Sequence, residues 1–159
     1  MLGASVKGEN SQIRKIENVL TNAHIPCYVP MMEDAKIDEK VIEGQATVGL
    51  EILEDCPVSI DYVFVAVGGG GLISGLGSYF RQISPNTKII GVEPTGAPAM
   101  YKSLKAKEII QLEEIDSFVD GAAVRRVGET TFAIAQQVID DMLLVPEGKV
   151  CSTILQLYN

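Results

Sequence analysis

Six apolar residues, Tyr62-Val63-Phe64-Val65-Ala66-Val67, run straight into four consecutive glycines, Gly68 to Gly71, and the chain continues as Leu72-Ile73-Ser74-Gly75. The first run is rich in β-branched and aromatic residues, and its unbroken apolarity predicts a strand buried on both faces at the centre of a parallel sheet. Four glycines in a row leave the intervening N–H groups without side chains to screen them. A helix starting at Leu72 adds its own free N-terminal N–H groups and the positive end of its dipole. Strand, glycines and helix in that order form the context of an anion cradle, most often for a phosphate. The plainer alternative is a glycine turn with no ligand. No charged residue occurs from Tyr62 to Phe80, a length close to that of a membrane-crossing helix, but six glycines in it favour a strand, a loop and a buried helix.

The same alternation extends to both sides. Ile13, Ile16, Val19, Leu20 and Ala23 recur at helical spacing over residues 11–23, and a short strand is expected at 25–29, followed by a loop over 31–36. A helix is expected over 38–55, with Val41, Gln45, Val48 and Ile52 on one side and Cys56-Pro57 as its stop. After the glycines come a helix over 72–83, a turn at Ser84-Pro85-Asn86 and a strand over 88–92 ending in Glu93-Pro94. Gly75 and Gly77 weaken the first of these helices, which suggests close packing against the sheet. A short helix over 99–104, a strand over 117–119, a helix over 129–141 with Phe132, Ala135 and Ile139 inward, and a strand over 142–145 complete the pattern. A last helix from 147 to 159 turns Val150, Ile154, Leu155 and Tyr158 inward. Strands alternating with helices predict an α/β fold, a three-layer doubly wound parallel sheet.

Bulk properties narrow the partners. With 159 residues and 47% apolar content the chain can build a real core. A net charge of -8 argues against nucleic acid or an anionic membrane, so any bound phosphate must be attracted locally by backbone dipoles. Cys27, Cys56 and Cys151 are odd in number and widely spaced, as expected of reduced thiols in a cytoplasmic protein rather than a disulfide or zinc frame. His24, the single histidine, excludes a histidine metal cluster and suits a helix end.

Four segments occur in order: Glu43-Gly44-Gln45-Ala46-Thr47, the Gly68–Gly71 loop with Leu72 and Gly75, Gly91-Val92-Glu93-Pro94, and Asp120-Gly121-Ala122-Ala123-Val124. Together they resemble threonine dehydratase (threonine ammonia-lyase), of the fold-type II pyridoxal-phosphate enzymes whose fold is that of the tryptophan synthase β chain. The resemblance implies that residues 31–159 are the central part of the larger, cofactor-binding domain and that residues 1–30 are a remnant of the smaller one. It implies pyridoxal 5'-phosphate as cofactor, with Gly68, Gly69, Gly70, Gly71 and Leu72 around its phosphate and the Asp120-Gly121 backbone beside its ring. It also implies α,β-elimination on threonine or serine to a 2-oxo acid and ammonia, a role in isoleucine synthesis, an amino-acid substrate in the full-length enzyme, and a homo-oligomer.

The chain departs from that family in three ways. None of its nine lysines follows Ser-Phe, so the family's Schiff-base lysine is missing, and no catalytic residue is assigned. The family's partner for the ring nitrogen lies beyond Asn159. Some relatives bind a divalent metal through a glutamate at the position of Glu93 and an aspartate six residues on, where this chain has Ala99, so no metal site is expected. The chain therefore reads as a fragment, inactive by itself. Two alternatives stand beside it: a non-catalytic phosphate-binding or oligomerisation module, and a dinucleotide-binding domain. For the latter, Gly69 and Gly71 fit GxGxxG, but Ser74 occupies the third position and Glu93 would have to hold a ribose. Ser74 could add a hydroxyl to the phosphate. Arg125-Arg126 and the face formed by Lys102, Lys105 and Lys107 read as solvated.

Overall fold

The computed structural model describes residues 39–158. The elements expected over 11–23, 25–29 and 31–36, the domain remnant at 1–30, His24 and Cys27 all lie outside the described residues.

Helix α1 (Glu39–Asp55) has an acidic residue in its first turn, where the dipole favours it, and stops at Cys56-Pro57. Its buried residues are Ile42 and Gly49. The inward stripe is thus offset by one residue from the expected Val41-Gln45-Val48-Ile52, and Val48 is exposed. The offset follows from the neighbouring helix α2 (Gly71–Ile83), whose Gly75 and Tyr79 meet α1 at Ile42, Ala46 and Gly49.

Strands β1 (Tyr62–Ala66), β2 (Lys88–Pro94) and β3 (Asp141–Val145) form one parallel sheet in the order β1-β2-β3. Tyr62 stands opposite Lys88 and Ala66 opposite Val92; Ile90 stands opposite Asp141 and Pro94 opposite Val145. Each parallel connection needs a crossover. Helix α2 makes the first; helix α3 (Ala99–Ala106), a long irregular stretch and helix α4 (Glu129–Val138) make the second. The core gathers Val65, Val67 and Ile89 with Ile73, Leu76 and Phe80 of α2, Ala99 and Met100 of α3, and Phe132 and Ala135 of α4. The α/β fold with a parallel sheet is as expected.

Several local expectations are corrected. The central strand among the described residues is β2, and β1 is not buried on both faces: Val65 is 3% exposed, but Tyr62 and Phe64 are 60% and 61% exposed. Successive side chains point to opposite faces, and the core forms only on the Val65 side of this strand. No strand forms over 117–119; the Phe118 N–H donates to Asp116 Oδ1 at 2.8 Å and the chain bends there instead. Helix α4 ends at Val138, where Ile139 turns extended. The next residue, Asp140, then ties β2 to α2: its carboxylate accepts from the Ile89 N–H at 2.8 Å and from Arg81 and Lys88 at 2.5 and 3.1 Å. Helix α5 (Glu147–Tyr158) buries none of its residues, and Ile154, Leu155 and Tyr158 are exposed rather than inward.

Candidate functional site

The site begins where β1 gives out. Val67 extends the ladder by one bond, its N–H donating to Val92 O at 2.9 Å. Gly70 then caps α2 with φ 93° and ψ 3°, in the left-handed region that glycine enters without penalty. Space forbids a side chain there as well. A Cβ on Gly70 would lie 2.7 Å from Met100 Cε and 3.0 Å from Thr131 Cβ. Gly68 is also crowded, since its Cβ would sit 3.2 Å from Ala122 Cα and 3.3 Å from Gly121 O. The loop is therefore pressed between the first turns of α3 and α4 on one side and the 121–122 backbone on the other.

The donors it offers are those of a bare helix start. Among the described residues no side chain caps α2, and the first N–H of the helix with a backbone acceptor is that of Ser74, on Gly70 O at 3.0 Å. The N–H groups of Gly71, Leu72 and Ile73 have no backbone acceptor among the described residues. Gly68, Gly69, Gly71 and Leu72 are half-buried, so the loop is reached from solvent, and Gly70 is buried among them. Uncharged N–H donors, a dipole's positive end and no room for side chains suit a phosphate ester that brings its own charge. The residues present fit the phosphate of a bound cofactor.

The structure brings the 121–122 backbone against Gly68, with the Gly121 carbonyl oxygen 3.3 Å from where a Cβ on Gly68 would lie. It does not give Ser74 the role of a phosphate ligand. Ser74 is fully buried, and its hydroxyl donates to Thr131 O at 3.3 Å. Thr131 went unnoticed in the sequence, yet its hydroxyl donates to Gly69 O at 2.7 Å across 62 positions of chain. Met100 is the other residue missed. A hydroxyl three residues into a helix is too common to single out, and nothing local links it to a glycine loop so far away.

Glu93 shows how little of a side chain's environment its neighbours in sequence reveal. It is 1% exposed, and its two oxygens accept from the N–H groups of Met100 and Tyr101, each at 2.8 Å. It caps α3, neither pairing with an arginine nor closing a sheet edge. Burial pushes its carboxyl up to about 7, against the opposing pull of the Tyr101 and Met100 N–H groups. Both oxygens already serve the start of α3 from inside the core, which is the work of a structural cap.

Elsewhere, Glu147 closes the C-terminal end of β2. Its oxygens accept from the Thr95 hydroxyl at 2.8 Å and the Gly96 N–H at 2.6 Å. The Thr95 hydroxyl, then its own N–H and that of Gly96, hold its carboxyl below the usual range. Arg125 donates to Glu113 O at 3.2 Å, Arg126 forms an exposed pair with Glu129 at 3.3 Å, and neither is part of the loop. Cys56 and Cys151 are free thiols. Among the described residues no helix is long and apolar enough to cross a membrane.

These features coincide with a match to the family of pyridoxal-phosphate dependent enzymes over residues 5–159. The chain is similar to the biosynthetic L-threonine dehydratase IlvA of Halalkalibacterium halodurans, 60% identical over 121 residues, which are 76% of this chain and 29% of that protein. The chain thus spans less than a third of the length of that curated relative. Among solved structures, it resembles the processed form of threonine deaminase isoform 2 from Solanum lycopersicum, with a TM-score of 0.69 and 45% identity, covering 82% of this chain and 36% of that one. Maize serine racemase gives a TM-score of 0.75 at 28% identity, covering 98% of this chain and 46% of that one. By a family match that runs nearly its whole length, the chain belongs to the pyridoxal-phosphate dependent enzymes of fold type II.

Proposed function

We propose that residues 31–159 are the phosphate-holding part of a pyridoxal-phosphate dependent threonine or serine dehydratase, which eliminates the β-hydroxyl and releases a 2-oxo acid and ammonia. The observation that carries this is the start of α2: a left-handed Gly70 under a row of N–H groups with no backbone acceptor among the described residues, in a chain 60% identical over 121 residues to a threonine dehydratase. When bound, pyridoxal 5'-phosphate supplies an electron sink for the carbanion at the substrate's α-carbon. The part of this chain is to hold and orient the group. Gly68, Gly69, Gly70, Gly71 and Leu72 would surround the phosphate, the α2 dipole would favour its charge, and the Gly121 backbone would border the ring. The Schiff-base lysine that the resemblance implies is not among this chain's nine lysines, none of which follows Ser-Phe. The chain alone is then inactive.

Two measurements on the 159-residue chain test this. Substituting Gly70→Asp adds bulk and negative charge to the loop, and the affinity for pyridoxine 5'-phosphate is expected to fall at least about tenfold. Unchanged affinity overturns the cradle. Incubation with pyridoxal 5'-phosphate, borohydride reduction and peptide mapping should give slow labelling scattered over several lysines. A single saturable adduct would mean that a resident lysine serves a complete site.

A further inference from the structure

We infer that Thr131 is a positioning residue for the glycine loop: its hydroxyl fixes the Gly69–Gly70 peptide so that the Gly70 N–H is aimed at the phosphate. The inference rests on the loop's proposed role as a phosphate cradle. Thr131 stands in the first turn of α4 and is fully buried. Its single hydroxyl proton has two acceptors within reach, Gly69 O at 2.7 Å and Gly128 O at 3.1 Å. The second is the local bond available to any threonine one turn into a helix. The first is shorter, and it joins two elements that are remote in sequence.

The geometry of the peptide group supplies the consequence. In a trans peptide the C=O and the following N–H point in opposite directions. A Gly69 carbonyl drawn inward to Thr131 therefore turns the Gly70 N–H outward, away from α4 and toward the side where the Gly71 and Leu72 N–H groups have no backbone acceptor among the described residues. Glycine at both positions leaves this peptide free to flip, with no side chain to hold it. The restraint has to come from outside the loop. Thr131 provides it, and the Ser74 hydroxyl, donating to Thr131 O at 3.3 Å, ties the first turn of α2 to the same residue.

The test compares Thr131→Ser with Thr131→Ala in the 159-residue chain. Both lose the same methyl group, so any loss of packing is shared, and they differ by one oxygen. Thr131→Val, which keeps the volume, replaces the alanine variant should the latter not fold. In the ligand-free chain the Gly70 amide resonance should move in Thr131→Ala and return near its original position in Thr131→Ser; an unmoved resonance in Thr131→Ala overturns the inference. Pyridoxine 5'-phosphate and pyridoxine, which lack the aldehyde and label no lysine, then report the phosphate separately. The preference for the phosphorylated form should fall about tenfold in Thr131→Ala, the scale of one well-made hydrogen bond, and be kept within about twofold in Thr131→Ser. A preference retained in full by Thr131→Ala overturns the role of Thr131 alone. A wild-type chain with no preference overturns the phosphate cradle on which that role rests.

Discussion

At the scale of single residues, Glu93 makes the sharpest pH-dependent claim. A carboxyl that ionises near 4.5 in the unfolded chain and near 7 in the folded one takes up a proton on folding between those values. The sign follows from linkage: stability falls as pH rises through that window and is flat above it, because ionising Glu93 costs more in the core than in water. The full span corresponds to about 3 kcal/mol. Asp140 works in the other direction. Burial opposes its ionisation, but the Ile89 N–H, Arg81 and Lys88 outweigh that and hold its carboxyl below 3.8, so its contribution is lost only at more acid pH. Glu93→Gln should therefore remove the decline between about pH 4.5 and 7, and urea unfolding at several pH values in that range measures it. Parallel pH profiles for the two proteins would show that Glu93 does not titrate there. The sequence displays the acid in Gly91-Val92-Glu93-Pro94 but conceals its partners, because backbone N–H groups bear no residue letter.

Among elements, the crossing of α1 on α2 turns on Gly75. Alanine is normally a better helix former than glycine by about 1 kcal/mol. At Gly75 a Cβ would collide with the Ile42 carbonyl oxygen and lie 2.7 Å from Ala46 N. These are backbone atoms of α1 and cannot swing aside, so Gly75→Ala is expected to destabilise by about 2 kcal/mol or more. Gly44, in α1, has nothing within 4 Å of its Cβ position, and Gly44→Ala should stabilise by about 0.5–1 kcal/mol. Denaturant unfolding of the two variants gives opposite signs if the crossing is as described; equal signs would contradict it. Here the sequence was half legible. The spacing of Gly75 and Gly77 announced close packing and suggested the sheet as its partner, but the partner is mainly other helices. Gly75 meets α1, and Gly77 would bring a Cβ to 2.6 Å from Val138 Cγ2 of α4, with Ile89 of β2 farther off at 3.6 Å. Helical period identifies a face; only the assembled fold decides what lies against it. The helix boundaries at Cys56-Pro57 and Ser84-Pro85 were legible because proline acts locally, whereas the bend at 117–119 depends on one aspartate side chain and looked like a strand.

Across the whole molecule, the glycine loop and the parallel alternation could be read from the sequence, whereas the degree of burial could not. Tyr62-Val63-Phe64-Val65 has the same letters whether a strand is covered on one face or two, since period 2 carries no signal when both faces are apolar. In the structure the two faces differ sharply: Val65 is 3% exposed and Phe64 is 61% exposed, with Tyr62 stacked beside Phe64 at a ring separation of 6.3 Å, whereas Phe80 of α2 is fully buried. A phenylalanine deleted from a packed core leaves a cavity as well as losing its transfer energy, so Phe80→Ala is expected to destabilise the chain by about 3–5 kcal/mol. Phe64→Ala removes a ring that is mostly in water already, and about 1 kcal/mol or less should be lost, chiefly from cross-strand contact and β propensity. Denaturant unfolding of both variants in the 159-residue chain, at matched concentration, makes the comparison. A loss at Phe64 as large as that at Phe80 would mean that β1 is covered on both faces in solution, as the apolar run by itself predicts.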